Sequence, residues 1–179
     1  MEITLAMAVA VAVRLLAPLL IFKWRIAGMV LAVLADALDV VLADFFAILL
    51  GEAAGFGERY QLFDKLLDTY CSALWLIVSL SWKNTLARNT SIILFAYRLT
   101  GFILFEVTGI RALFLFFPNL FAIFFFFYTI AERFFPRLAP KTLPSLLLAL
   151  LLLSIPKFLQ EWGLHYAQLH PWQWIKGLF

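Results

Sequence analysis

Charged residues are scarce in this chain of 179 residues: they form 14% of it, whereas 65% of the residues are hydrophobic. Soluble domains carry about 25% charged residues, so this scarcity excludes an ordinary soluble protein and predicts an integral membrane protein. Cysteine occurs once, as Cys71, which excludes an intrachain disulfide and a metal site of paired cysteines. The two histidines, His165 and His170, lie close to the carboxyl end.

Six apolar segments approach the length of about 20 residues that a membrane-spanning helix needs. They cover roughly residues 3–22, 26–50, 61–82, 91–110, 112–131 and 143–160. Lipid forces backbone polar groups to find partners within each segment. The sequence therefore predicts an all-α polytopic protein, with six transmembrane helices in one bundle over residues 1–164.

The remaining residues, 165–179, are aromatic and amphipathic, which is typical of a segment that lies at the headgroup level. Basic residues concentrate in the loops that follow the first, third and fifth segments. By the positive-inside rule these loops face the cytoplasm. We expect the protein to lie in the inner membrane of a bacterial or archaeal cell, in contact with membrane lipid and without nucleic acid.

Aspartate is confined to one region of the chain. All five aspartates fall between residues 36 and 68, and they are Asp36, Asp39, Asp44, Asp64 and Asp68. A charge at the bilayer centre costs at least about 2.5–3.5 kcal/mol on insertion scales, and such a residue is a functional-site hypothesis by default. The confinement of five acids to two adjacent segments predicts a site between those segments.

A hairpin centred near Ala54 would bring these acids together. Asp44 and Asp64 are equally far from that centre, and Asp39 and Asp68 are nearly so. Asp64 and Asp68 are four residues apart and share one face of a helix.

Carboxylates this close need protonation, a basic partner or a divalent cation, because like charges in a low dielectric oppose each other's ionisation. The basic candidates are Arg14, Lys65 and Arg98. Mg²⁺ and Mn²⁺ both favour carboxylate oxygens as ligands, so either cation would suit the site.

The aspartate pattern resembles that of the CDP-alcohol phosphotransferases, which are six-helix membrane enzymes. Their motif reads D-x2-D-G-x2-A-R on the second helix and G-x3-D-x3-D on the third. Here the first half is Asp36-Ala-Leu-Asp39-Val-Val-Leu-Ala-Asp44, and the second is Tyr60-Gln-Leu-Phe-Asp64-Lys-Leu-Leu-Asp68. Valine and tyrosine replace the two glycines, and aspartate replaces the arginine.

The resemblance implies a reaction and a set of roles. Asp36, Asp39 and Asp64 would hold divalent metal that grips the diphosphate of a CDP-linked donor. Asp68 would be the catalytic base that accepts the proton of the acceptor alcohol. Further candidates for substrate contact, outside the matched aspartates, are Asp44, Lys65 and Arg98.

Two other classes of function suit the same residues. One is a small non-catalytic subunit of a larger respiratory or photosynthetic membrane complex, in which the Phe-rich stretch 114–128 and the aromatic tail form contacts. The other is a proton or cation carrier that uses the aspartates. A homodimer also fits the sequence.

Overall fold

The computed structural model describes residues 4–51, 60–110 and 112–163. Within these ranges the chain is helical and has no strand, which confirms the prediction of an all-α protein. The predicted hairpin centre at Ala54 and the predicted interfacial tail, 165–179, lie outside the described residues.

Three helical stretches of the described chain are long and apolar enough to cross a membrane: Leu5–Phe22, Thr85–Thr108 and Leu143–Gln160. The pair Arg25–Ala37 and Asp39–Leu50 becomes a fourth candidate if its two helices together form one span. Three or four candidate spans agree with the prediction of a membrane protein.

The chain divides into two compact units, residues 1–81 and 82–179. The amino-terminal unit contains α1 (Leu5–Leu16), a 3-10 helix (Ala17–Phe22), α2 (Arg25–Ala37), α3 (Asp39–Leu50) and α4 (Tyr60–Ser79). In this unit α1 packs against α3, the 3-10 helix packs against α2, and α4 contacts both α1 and the 3-10 helix.

The first apolar segment changes from α-helix to 3-10 helix at Ala17, one residue before Pro18. Proline has no backbone N–H and its ring crowds the carbonyl of the residue four positions earlier. The regular α-helical pattern is therefore interrupted here. The change also leaves the carbonyl of Leu15 able to accept a hydrogen bond from the Tyr70 hydroxyl of α4, at 3.1 Å.

The second apolar segment is broken where the sequence suggests one helix. α2 ends at Ala37, α3 begins at Asp39, and the two axes differ by 62°. Asp36 and Asp39 therefore lie on opposite sides of a bend and do not share a face of one straight helix. The bend at Leu38 places the two aspartates in different helices, yet both carboxylates accept hydrogen bonds from Arg14.

Small residues allow α1 and α3 to pack closely. The buried positions of α1 include Ala6, Ala10 and Arg14, and those of α3 are Asp39, Ala43 and Ala47. In both helices the buried residues recur every four positions, which places them in one stripe along the helix. Alanine stripes of this kind let helix backbones approach each other in a membrane, and here each stripe ends in a charged residue.

The carboxyl-terminal unit contains α5 (Thr85–Thr108), α6 (Leu113–Phe116), α7 (Leu120–Phe134) and α8 (Leu143–Glu161). α7 packs against both α5 and α8. The core of this unit is aromatic. The Trp82 ring stacks on Phe125 with centroids 5.4 Å apart and also contacts Phe124 and Tyr128. Much of the Phe-rich stretch is thus packed inside this unit.

The predicted fifth helix is interrupted at Phe117–Asn119, between α6 and α7. Proline at position 118 cannot donate a helical hydrogen bond. Arg98 Nη1 donates to the Phe117 carbonyl at 2.8 Å, and the Asn119 side chain accepts from the backbone N–H of Ala122 at 3.2 Å. These side chains satisfy backbone groups that the break exposes.

Gly28 of α2 offers a test of the packing between α2 and the 3-10 helix. A Cβ on Gly28 would lie 2.2 Å from the backbone nitrogen of Ile21. Gly→Ala inside a helix ordinarily stabilises it by about 0.5–1 kcal/mol. We expect Gly28→Ala instead to destabilise the protein by about 1–3 kcal/mol, because the backbones must separate.

Thermal unfolding of the detergent-solubilised protein measures this effect. Ala27→Ser, which adds one atom at the neighbouring exposed position, should leave the Tm nearly unchanged. A Tm for Gly28→Ala at or above that of the wild type would contradict the close approach of the two backbones.

Candidate functional site

Arg14 lies at the centre of the candidate site, at the carboxyl end of the buried stripe of α1. Only 5% of the residue is exposed, although arginine is almost never buried without a partner. Its guanidinium group carries five N–H donors in a planar fork, which matches the geometry of carboxylates. The surrounding helices supply such partners.

Four aspartates converge on this one guanidinium. Nη1 of Arg14 donates to Oδ2 of Asp39 at 2.7 Å and to Oδ1 of Asp64 at 3.0 Å. Nη2 donates to Oδ1 of Asp68 at 3.0 Å and to Oδ1 of Asp36. The partners come from three helices: Asp36 lies in the last turn of α2, Asp39 begins α3, and Asp64 and Asp68 lie one turn apart on α4. We name these five residues the Arg14 cluster.

Lys65 adds a second positive charge at the edge of the Arg14 cluster. Its Nζ lies 2.9 Å from Oδ2 of Asp64 and 3.7 Å from Oδ2 of Asp68. Both oxygens of Asp64 are therefore bound, one by each cation. Lys65 is adjacent to Asp64 on α4, so the helix that positions the two carboxylates also positions this ammonium group.

The Arg14 cluster has more acid than base. With every group ionised, four carboxylates against Arg14 and Lys65 leave a formal charge of −2. Charges interact more strongly in a low dielectric than in water, so this excess favours a further cation or protonation. A charge of −2 equals that which one divalent cation neutralises.

The four acids differ in their access to the surroundings. Asp39 is buried, its side chain being 3% exposed, whereas the side chain of Asp36 is 49% exposed. Asp64 and Asp68 are intermediate. The cluster therefore has a closed side at Asp39 and an open side at Asp36, from which a ligand can approach Asp36 and Asp68.

The donor atoms on the open side suit a hard cation. Asp36, Asp64 and Asp68 each offer one carboxylate oxygen, and the three oxygens lie within 4.8 Å of one another. Oxygen ligands are those that Mg²⁺ takes, together with water and substrate phosphates. The residues present therefore fit a divalent cation, although the guanidinium of Arg14 already contacts all three carboxylates.

The structure brings together five of the seven residues predicted for catalysis or for metal and substrate binding, which are Asp36, Asp39, Asp64, Asp68 and Lys65. Asp44 is on α3 but is not among the carboxylates that the described chain places on Arg14. Arg98 belongs to the other unit, where it donates to the Phe117 carbonyl. The roles assigned to these residues in metal and substrate binding stay predictions.

The sequence predicts Arg14 only as one of three possible basic partners of the acids, whereas in the structure its guanidinium contacts all four aspartates. The signal was present in the sequence: Arg14 is the one charge inside the apolar segment 3–22. An unpaired charge there would be costly, which points to an acidic partner on another helix.

Replacing Arg14 tests whether the cluster depends on it. Arg14→Gln leaves four facing carboxylates without their shared donor, and removal of one partner from a buried ion pair is strongly destabilising. We expect a loss of about 3 kcal/mol in the free energy of unfolding, at the low end of the range for a broken buried pair, because the Asp36 side chain is half exposed. Thermal or denaturant unfolding in detergent measures the loss.

A double-mutant cycle separates this pairing from general damage to α1. Asp39→Asn in the Arg14→Gln background should recover part of the stability, because it removes one repelling charge. Asp44→Asn in the same background should recover none. Equal recovery by both substitutions would contradict a specific pairing between Arg14 and Asp39.

Comparison with known proteins finds no match: no family model fits the sequence, and neither a curated protein nor a solved structure is similar to it. The feature that bears on function is the Arg14 cluster itself, in which a buried guanidinium contacts four carboxylates of three helices.

Proposed function

We propose that the chain is a membrane phosphotransferase of the CDP-alcohol type, whose active centre is the Arg14 cluster. One observation carries the proposal. The four aspartates at the motif positions, Asp36, Asp39, Asp64 and Asp68, converge on a single point from three helices. Separate structural ion pairs would not require four acids at one cation.

The proposed roles are those that the resemblance to the CDP-alcohol phosphotransferases implies, while the three carboxylate oxygens within 4.8 Å of one another belong to Asp36, Asp64 and Asp68. Asp36, Asp39 and Asp64 would hold Mg²⁺ or Mn²⁺, which when bound neutralises negative charge on phosphoryl oxygens. Asp68 lies on the open side, where its carboxylate can accept the proton of an acceptor hydroxyl. Lys65 stands beside Asp64 and Asp68, where its ammonium group can contact a phosphate oxygen of the donor.

The proposed reaction is a displacement at phosphorus. The hydroxyl oxygen of the acceptor alcohol forms a bond to the β-phosphorus of the CDP-linked donor while its proton passes to Asp68. The bond between that phosphorus and the bridging oxygen breaks, and CMP leaves with the electron pair. Catalysis of such transfers depends mainly on positioning and charge stabilisation, which a fixed group of carboxylates and cations supplies.

Metal binding tests this proposal. We expect the wild type in detergent to bind Mn²⁺, and Asp64→Asn to bind it at least tenfold more weakly, because an oxygen ligand carrying a negative charge is lost. CDP should tighten binding to the wild type. Electron paramagnetic resonance of free Mn²⁺ gives the affinity, and release of CMP from CDP-diacylglycerol with an added alcohol gives the activity.

Glu106→Gln is the matched control, since it removes one carboxylate from α5 in the other unit. It should bind Mn²⁺ as the wild type does. If neither the wild type nor the control binds Mn²⁺ with or without CDP, the phosphotransferase proposal is wrong.

A second candidate function is favoured by the position of Arg14. Its guanidinium already donates to all four carboxylates and is almost wholly buried. An internal cation of this kind suits a structural centre in a small subunit of a larger membrane complex. The same experiment separates the two functions: a structural centre predicts no Mn²⁺ binding and copurification with a larger assembly.

We further propose six membrane spans, with α4 and the pair α6–α7 crossing in addition to the four candidates above. Support comes from α4, where Asp64 and Asp68 belong to the Arg14 cluster and Lys65 pairs with both, so that these charges cost less in lipid than unpaired charges. With these two additional crossings, the loops rich in basic residues all lie on the side of the membrane where Lys23 lies.

Cysteine labelling tests this topology in a Cys71→Ser background. Six spans predict that an impermeant maleimide reaches one set of introduced cysteines from one side of the membrane and the other set from the opposite side. The first set is Lys23→Cys, Lys83→Cys and Arg137→Cys, and the second is Gly51→Cys and Gly109→Cys. Labelling of Lys83→Cys and Gly51→Cys from the same side would show that α4 does not cross.

A further inference from the structure

A cavity of about 370 Å³ opens in the carboxyl-terminal unit, and none of its lining residues belongs to the Arg14 cluster. It lies where α5 begins, α7 ends and the connection to α8 passes. Its lining residues are Lys83, Asn84, Tyr128, Glu132, Pro136, Ala139 and Lys141. The volume falls within the range of about 300–1,000 Å³ that is usual for small-molecule sites.

Asn84 holds the two lysines of this cavity together. Its side-chain oxygen caps α5 by accepting from the backbone N–H groups of Leu86 and Ala87, at 3.0 and 3.2 Å. Its side-chain nitrogen donates to the carbonyl of Pro140 at 2.6 Å. Because Lys83 precedes Asn84 and Lys141 follows Pro140, this bond fixes both lysines at one cavity.

The charge of the region favours an anion. Lys83 and Lys141 line the cavity, and Glu132 is the one acid among the lining residues. Lysine ammonium groups bind phosphate as point charges. A phosphate-bearing ligand therefore suits the cavity, and Glu132 limits the affinity by repulsion.

The position of the cavity suggests where that phosphate comes from. Two candidate spans, Thr85–Thr108 and Leu143–Gln160, begin beside it; with both helices across the membrane, the cavity would lie at the depth of lipid headgroups. From there α8 runs onward with a row of exposed leucines, among them Leu147, Leu148, Leu151 and Leu152. Such a surface can contact acyl chains while the cavity holds the headgroup, and basic pockets between membrane helices bind anionic headgroups.

We propose that this cavity, which we call the Lys83–Lys141 pocket, is a binding site for an anionic phospholipid whose phosphodiester headgroup contacts Lys83 and Lys141. The site is independent of the Arg14 cluster and of any phosphotransferase activity. It would bind one lipid in preference to the zwitterionic lipids around it.

Native mass spectrometry of the full chain in detergent tests the proposal with dioleoyl phosphatidylglycerol and dioleoyl phosphatidylcholine as probes. The wild type should retain one phosphatidylglycerol at least tenfold more tightly than phosphatidylcholine. Lys83→Ala with Lys141→Ala should reduce that preference by roughly tenfold or more, because each lysine near a lipid surface contributes to headgroup attraction. Unchanged preference in this variant would overturn the assignment.

Three further variants test whether the lipid preference depends on Lys83 and Lys141. Lys23→Ala with Lys157→Ala removes two positive charges outside the pocket and should keep the wild-type preference for phosphatidylglycerol. A loss of preference in this variant equal to that of the pocket variant would overturn the assignment of the site to the pocket. Lys83→Arg with Lys141→Arg should retain binding. Glu132→Gln should tighten phosphatidylglycerol binding several-fold. This variant keeps the proposal testable if the variant with alanine at Lys83 and Lys141 does not fold.

Inorganic phosphate distinguishes the two sources of the same chemistry. A headgroup site anchored by acyl chains should keep its lipid in millimolar phosphate. Displacement of phosphatidylglycerol by phosphate at that concentration would mean that the pocket is a site for free phosphate, and the lipid proposal would then be wrong.

Discussion

The contact on which the amino-terminal unit depends is the one between Arg14 and its four aspartates. A buried guanidinium is tolerable only if its donors are satisfied, and four buried or half-buried carboxylates are tolerable only beside a cation. Each side of the pairing therefore needs the other. α1, α2, α3 and α4 each contribute at least one charge to it, so their mutual positions are tied to one point.

The other features of that unit are arranged around this contact. The alanine stripes of α1 and α3 let two backbones approach closely and lead to Arg14 and Asp39. The bend at Leu38 turns α3 away from α2 and still leaves both Asp36 and Asp39 on the guanidinium. The 3-10 helix at Pro18 leaves the Leu15 carbonyl able to accept a hydrogen bond from the Tyr70 hydroxyl. This bond holds α4 in place two residues after Asp68. Two irregularities, the change to 3-10 helix at Ala17 and the bend at Leu38, are thus close in sequence to residues of the charged centre.

The two units present opposite chemistries. The Arg14 cluster is an acidic centre with an open side and an excess of negative charge, which suits a cation. The Lys83–Lys141 pocket is a basic cavity at the end of two candidate spans, which suits a phosphate. An unpaired charge in lipid is costly, and in the Arg14 cluster each charge has a partner of opposite sign.

By itself the sequence determined the membrane class and the helical fold, because apolar composition and backbone satisfaction in lipid leave few alternatives. It also identified Asp36, Asp39, Asp64 and Asp68, since acids confined to apolar segments stand out by position alone. Only the tertiary structure decided that Arg14 is their shared partner, that the helix breaks at Leu38, and that Arg98 serves the Phe117 carbonyl. These outcomes depend on which helix faces which, and hydrophobic periodicity does not encode the pairing of distant charges.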